Sequence, residues 1–120
     1  MSIQSYRELD AWKLGMELAE ACYRLSQTFP TEHRYELTSQ VRRAALSVPS
    51  NVAEGYGRRN RGEYLQFLGI ARGSLRELET CLILAQRIEI GKGADEVLEK
   101  CDRVGRVLYG LEKSLTRSGT

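Results

Sequence analysis

The segment QVRRAALSVPSNVAEGYGRRNRGEYLQF, Gln40 to Phe67, carries the decision about the fold. Its first half places Val41, Ala44, Ala45, Val48 and Val52 at helical steps, continuing a stripe that starts at Leu37. Pro49 falls inside that stripe, where it removes a backbone donor and crowds the carbonyl of Ala45. Val52 keeps the stripe beyond the proline, so the helix is expected to bend rather than end. Ser47, Ser50 and Asn51 are placed to supply replacement hydrogen bonds around the kink. Gly55 and Gly57 are expected to give the exit a left-handed geometry, with Glu54 holding the turn. Asn60 and Glu63 have the spacing of a capping box, which starts the next helix at once.

Outward from this turn the helical pattern continues in both directions. Downstream, Tyr64, Leu68, Ala71, Leu75, Leu78, Leu82 and Ala85 alternate steps of four and three, the seam of an antiparallel bundle. Gly91 suits the left-handed position after this helix, and Asp95 and Glu96 favour the positive end of another. That last helix carries Ala94, Leu98, Cys101, Gly105, Leu108, Leu111 and Leu115, and the closing TRSGT is expected to fray. Upstream, Pro30 ends a first helix and Thr31 is placed to cap the second. The first helix bears two apolar rows, Leu9-Trp12-Met16-Ala19-Tyr23 and Ala11-Gly15-Leu18-Cys22-Leu25-Phe29. Together they fill an arc of roughly 200°, wider than one core face needs. The surplus suits either a closely packed bundle helix or a second face that meets another subunit. The spacing therefore predicts helices over about 8–29, 32–56, 61–89 and 94–116 in one domain spanning 1–120. Short connections make neighbours antiparallel, so the fold class is all-α, an up-down-up-down four-helix bundle.

Composition sets the outer limits. A chain of 120 residues with 42% apolar and 28% charged residues is an ordinary globular balance. No apolar run approaches the ~18 residues of a membrane span, and MSIQSYRELDAWK shows no secretory pattern. Cys22, Cys81 and Cys101 are scattered, fitting neither a disulfide framework nor a zinc site, so a reducing cytoplasm is the expected location. His33, the single histidine, lies in a polar turn with no cysteine near it in sequence. GYGRRNRG follows no strand and lacks the lysine of a phosphate loop. Carboxylates such as Glu77 and Glu79 come without the Glu-x-x-His pattern of a bundle metal site. No catalytic residue, metal or cofactor is expected, and the chain is not expected to be an enzyme.

The arginines say more. Arg42, Arg43, Arg58, Arg59 and Arg61 crowd around the central turn against one acid, Glu54, and Arg72 and Arg76 continue along helix three. Arginine's planar fork suits phosphate, and Tyr56 and Tyr64 offer rings for base stacking. A charged helix face is also commonly just solvated, and the net charge is only +2. Nucleic-acid affinity must therefore come from local clustering, strengthened if several copies repeat the patch.

YRELDAWKLGMELAEACYRLSQTFP, followed by ELTSQVRRAALSVPSNVAEGYGRRNRGEYLQFLGIARGSLRELET, resembles the four-helix-bundle proteins encoded in intervening sequences of bacterial 23S rRNA genes. It is also similar to the accessory variability determinant of diversity-generating retroelements, which partners a reverse transcriptase and binds nucleic acid. The resemblance implies a bacterial cytoplasmic bundle assembling as a homopentameric ring, with no catalytic residues to transfer. The matching positions include Arg42, Arg43, Ser47, Asn51, Glu54, Gly55, Gly73, Ser74 and Glu77, whereas Glu36 stands where a glycine is often found. Two functional expectations follow. One is a non-enzymatic oligomeric scaffold gripping RNA or DNA through the arginines, alongside a partner such as a reverse transcriptase. The other is a structural or protein-interaction ring with no nucleic-acid role.

Overall fold

Asn60 adopts extended backbone and its Oδ1 accepts a 2.8 Å hydrogen bond from the Glu63 amide, satisfying one of the first free donors of a helix. Half of the expected capping box forms, because the Glu63 carboxylate makes no return bond to Asn60. The computed structural model describes residues 3–117. From the Asn60 cap, helix α3 runs over Arg61–Arg87, 27 residues or about 40 Å. It follows α1 (Asp10–Gln27) and α2 (Ser39–Tyr56) and precedes α4 (Ala94–Arg117). Among the described residues there is no strand.

α1 packs on α2, α2 on α3, α3 on α4, and α4 back on α1, which is the closed order of an up-down-up-down bundle. The molecule measures 49 × 22 × 21 Å. The narrow row of α1 (Ala11, Gly15, Leu18, Cys22, Leu25) faces inward and is buried. The seam of α3 does the same through Leu68, Ala71, Leu75, Leu78, Leu82 and Ala85. Leu18, Leu68, Leu75, Leu78, Leu82 and Leu108 are completely enclosed, each contributing about 2 kcal/mol of apolar burial. The other row of α1 is divided: Leu9 and Ala19 are buried in the core, Trp12 and Met16 are half-buried, and Tyr23 is exposed. No helix among the described residues is long and apolar enough to cross a membrane.

α2 passes unbroken through Pro49. Pro49 is buried, and the reason it fits lies on α1, where a Cβ added to Gly15 would come within 3.3 Å of the Pro49 Cβ. Asn51 Nδ2 donates to the Ser47 carbonyl at 2.8 Å and to Ser47 Oγ at 2.9 Å. Ser47 Oγ in turn shares a 2.7 Å hydrogen bond with Ser74 Oγ of α3. The expected polar support thus comes from Ser47 and Asn51, and it also ties α2 to α3. Ser50 is exposed, and its hydroxyl makes no hydrogen bond among the described residues.

Several local expectations are corrected. Gly55 and Gly57 are not left-handed: Gly57 has φ −79°, and the positive φ values belong to Glu89 and Gly93. Gly55 is needed for contact instead, since a Cβ there would meet Phe67 Cβ at 3.0 Å and the Tyr64 carbonyl oxygen at 3.2 Å. The left-handed residue after α3 is Glu89, at φ 64°, and not Gly91. The Glu89 amide donates to the Gln86 carbonyl and the Ile90 amide to the Ala85 carbonyl, closing a Schellman motif two residues before the glycine. Gly91 serves close approach, because a Cβ there would lie 2.9 Å from that of Ala85.

Thr31 does not cap α2. Pro30 precedes a 3-10 turn (Thr31–His33) without a side-chain bond, and a π-helical turn (Arg34–Thr38) leads into α2. With no side chain satisfying the first amides, regular winding is reached only after Leu37 and Thr38 enter the core. The start of α1 is similarly divided, into a 3-10 turn (Tyr6–Glu8) capped by Ser5 and an extended, buried Leu9. Its end comes at Gln27, where the Thr28 hydroxyl donates to the Leu25 carbonyl. α4 remains helical through Arg117, and the expected fraying otherwise falls on 118–120, outside the described residues.

Candidate nucleic-acid interface

α2 separates the arginines that are close in sequence. From Arg43 to the end of α2 is 13 residues, about 20 Å at 1.5 Å per residue. Arg42 and Arg43 therefore sit near the end of the bundle where α1 finishes. Arg58, Arg59 and Arg61 sit at the opposite end, on the α2–α3 turn.

Four of the seven candidate arginines are held by this chain's own groups. Arg42 Nε donates to Ser26 Oγ at 2.8 Å, and its guanidinium lies 5.0 Å from the Tyr23 ring centre. Arg58 pairs with Glu54 at 3.0 Å and covers the Phe67 ring at 4.5 Å. Arg72 reaches Glu112 of α4 at 3.5 Å, and Arg76 reaches Glu79 at 2.9 Å. Both partners of the Arg58–Glu54 pair are solvent-accessible, so it is worth under about 1 kcal/mol and can open towards a phosphate, whereas Glu112, Glu79 and Ser26 are largely covered and hold their arginines from the bundle surface. Arg43, Arg59 and Arg61 are exposed and have no ion-pair or hydrogen-bond partner among the described residues. Glu54 and Glu63 are the acids nearest in sequence to the turn, and Glu54 is occupied by Arg58.

The two tyrosines are less available than their spacing suggests. Tyr56 and Tyr64 meet edge to face with ring centres 6.2 Å apart, and the Tyr56 hydroxyl donates to the Ile3 carbonyl at 2.9 Å. Burial, with Tyr56 beside it, pushes the Tyr64 hydroxyl above its ordinary pKa. Both rings are half-buried and brace the turn from which Arg59 and Arg61 project.

Cys22, Cys81 and Cys101 are free thiols. Burial raises Cys22 and Cys101 from the ordinary 9.0 to about 12, keeping them protonated. His33 lies beside Glu32 at 3.9 Å. Among the described residues no group of three or more His, Cys, Asp or Glu side chains is arranged to hold a metal ion. Ser26 as the anchor of Arg42 was not legible in the sequence. A serine on a helix flank gives no signal of its own, although Tyr23 on the surplus row marked that side of α1.

The model of the 23S rRNA-intervening sequence protein family matches residues 7–110. The chain belongs to that family. The match spans all of α1, α2 and α3 and most of α4, including the Ser47–Asn51–Ser74 knot and every candidate arginine. A search of curated proteins finds no match. Among solved structures, the chain is similar to a protein of unknown function from the S23 ribosomal protein family of Bacteroides thetaiotaomicron. That likeness has a TM-score of 0.78 at 20% identity, covering 86% of this chain and 95% of the other. At that identity the likeness concerns the fold, so this member of the intervening-sequence family shares its bundle with the Bacteroides protein.

Proposed function

We propose that this chain is a non-enzymatic helical scaffold of the bacterial cytoplasm that assembles with copies of itself and binds nucleic acid at the α2–α3 turn. The homopentameric ring and a reverse transcriptase as protein partner are the forms of assembly and company that the family resemblance supplies. The observation that carries the nucleic-acid part is the turn itself. Arg59 and Arg61 project from it without partners among the described residues, Arg58 stands beside them, and the tyrosine pair braces it from below. Free guanidinium forks on a braced turn suit phosphate oxygens, with little base selectivity expected from such contacts.

Filter binding of single-stranded and duplex RNA and DNA at stepped salt tests this. Affinity is expected to fall with salt, and Arg59→Ala/Arg61→Ala is expected to lower the log–log slope by about 1.4 to 1.8 per protomer engaged. Binding that is absent, insensitive to salt, or unchanged in the double variant refutes it.

One observation favours the alternative, a protein-interaction scaffold without nucleic acid. Arg42, Arg58, Arg72 and Arg76 are all engaged inside the chain. On that reading the double variant loses assembly on size-exclusion chromatography, whereas the proposed function has it losing nucleic acid while the assembly persists. Co-purification with a reverse transcriptase encoded nearby tests the partner.

A further inference from the structure

Two faces of the bundle carry exposed apolar residues ringed by charge, and the charges are opposite. On the α1/α2 face, Tyr23 and Leu46 stand out beside Arg34, Arg42 and Arg43. On the α3/α4 face, Ile83 and Leu98 lie among Glu79, Asp95, Glu99 and Asp102. Tyr23, Leu46 and Ile83 are 41%, 48% and 45% exposed and Leu98 is half-buried, so each face sets apolar surface beside its charges.

Because α1 neighbours α2 and α4, and α3 neighbours α2 and α4, these faces lie on opposite sides of the bundle. They also lie at the same height. Tyr23 and Ile83 are each four residues before their helices end, Leu46 is seven residues into α2, and Asp95 to Asp102 open α4. In an up-down bundle those four segments share one end, within about 12 Å of it.

We infer that the basic α1/α2 face of one copy docks on the acidic α3/α4 face of a second copy. This rests on the assembling half of the proposed function. A self-complementary two-fold contact would press like charges together, so the contact is head-to-tail, with bundles side by side and parallel. Within it, Arg43 is the free cation, and Glu99 and Asp102 are the acids without partners among the described residues. Glu79 is already shared with Arg76, and Asp95 accepts from Gln86. Tyr23 and Leu46 meet Ile83 and Leu98 at the dry centre. The same arrangement leaves Arg59 and Arg61 at the far end of every copy, clear of the contact.

Size-exclusion chromatography with light scattering tests the pairing, using wild type, Arg43→Glu, Glu99→Arg and an equimolar mixture of the two variants. Circular dichroism checks that each remains helical. Each variant alone juxtaposes like charges, so its dissociation constant is expected to rise on the order of a hundredfold. Each then runs as a 13.6 kDa monomer at concentrations where wild type assembles. The mixture restores opposite charges and is expected to regain a mass of at least two chains. Wild type that stays monomeric refutes the assembling half of the proposed function. Wild type that assembles, with variants assembling equally or a mixture that remains monomeric, refutes this pairing of faces alone.

Discussion

Gly55→Ala and Gly73→Ala are the same chemical change in helices of one protein, yet the structure assigns them opposite signs. Both replace glycine with the best helix former, a gain of up to about 1 kcal/mol in a helix interior. At Gly73 a Cβ meets nothing within 4 Å, so that gain stands, and it is about 0.5–1 kcal/mol. Gly55 differs in two ways. It lies one residue from the end of α2, where the propensity gain is smaller, and its Cβ would press on Phe67 Cβ at 3.0 Å, Tyr64 Cδ1 at 3.1 Å and the Tyr64 carbonyl oxygen at 3.2 Å. Two of these neighbours are a backbone atom and a Cβ, which cannot swing aside. Relief requires α2 to move off α3, an overpacking cost of about 1–3 kcal/mol.

Net, Gly55→Ala is expected to destabilise by about 1–2 kcal/mol while Gly73→Ala stabilises. Urea and thermal denaturation followed by circular dichroism measure both, at two protein concentrations to separate folding from assembly. The expected melting shifts are about 3–8 °C down and about 2–4 °C up. If Gly55→Ala is neutral or shifts in the same direction as Gly73→Ala, close approach is not what Gly55 provides. The account of the α2–α3 contact then fails.

Glu89→Gly is expected to stabilise by about 1 kcal/mol in the same assay, because glycine accepts the φ of 64° without the Cβ penalty; a loss of stability refutes the Schellman reading. Ser47→Ala and Ser74→Ala are each expected to cost about 1–2 kcal/mol, and the double variant less than their sum, since the two hydroxyls satisfy each other. Additive costs mean that they do not. Stability is expected to fall as pH rises from 9.0 towards about 12, because Cys22 and Cys101 bind their protons more tightly folded than unfolded and the unfolded thiols ionise first. Below pH 8 these thiols contribute no slope, and replacing both with alanine is expected to flatten the alkaline limb in denaturation midpoints.

The bundle was legible because its signal is long. Seven apolar residues in α3 and six positions of the inner row of α1 agree on one period, and no local error reverses a pattern of that length. The local corrections share a cause. Gly55, Gly57 and Gly91 were read as conformational devices, but glycine also appears where backbones must approach. Sequence alone does not say which helix is opposite. Gly55 faces Tyr64 and Phe67 across the turn, and Gly91 folds back on Ala85. The left-handed position went to Glu89, whose type gives no hint of it, because Ile90 and Gly91 both needed the Ala85 carbonyl. Thr31 looked like a cap by residue type, yet Pro30 and the π-helical turn reach α2 without one.

The arginines show a different limit. Read along the chain, Arg42, Arg43, Arg58, Arg59 and Arg61 form one cluster, but the 13 residues of α2 beyond Arg43 stand between the first pair and the last three. Their partners come from elements distant in sequence, as with Ser26 for Arg42 or Glu112 for Arg72. A net charge of +2 likewise conceals polarity, with cations on the α1/α2 face and acids across the bundle, of which Glu99 and Asp102 have no partner among the described residues. That polarity bears on nucleic acid as well. A single copy offers two free arginines at its turn, few phosphate contacts for useful affinity at physiological salt. Side-by-side parallel copies would put every α2–α3 turn at one end of the assembly, where their phosphate terms add along one strand. In this scheme opposite charge on the sides of the bundle joins the copies, and like charge at one end is what the joined copies present.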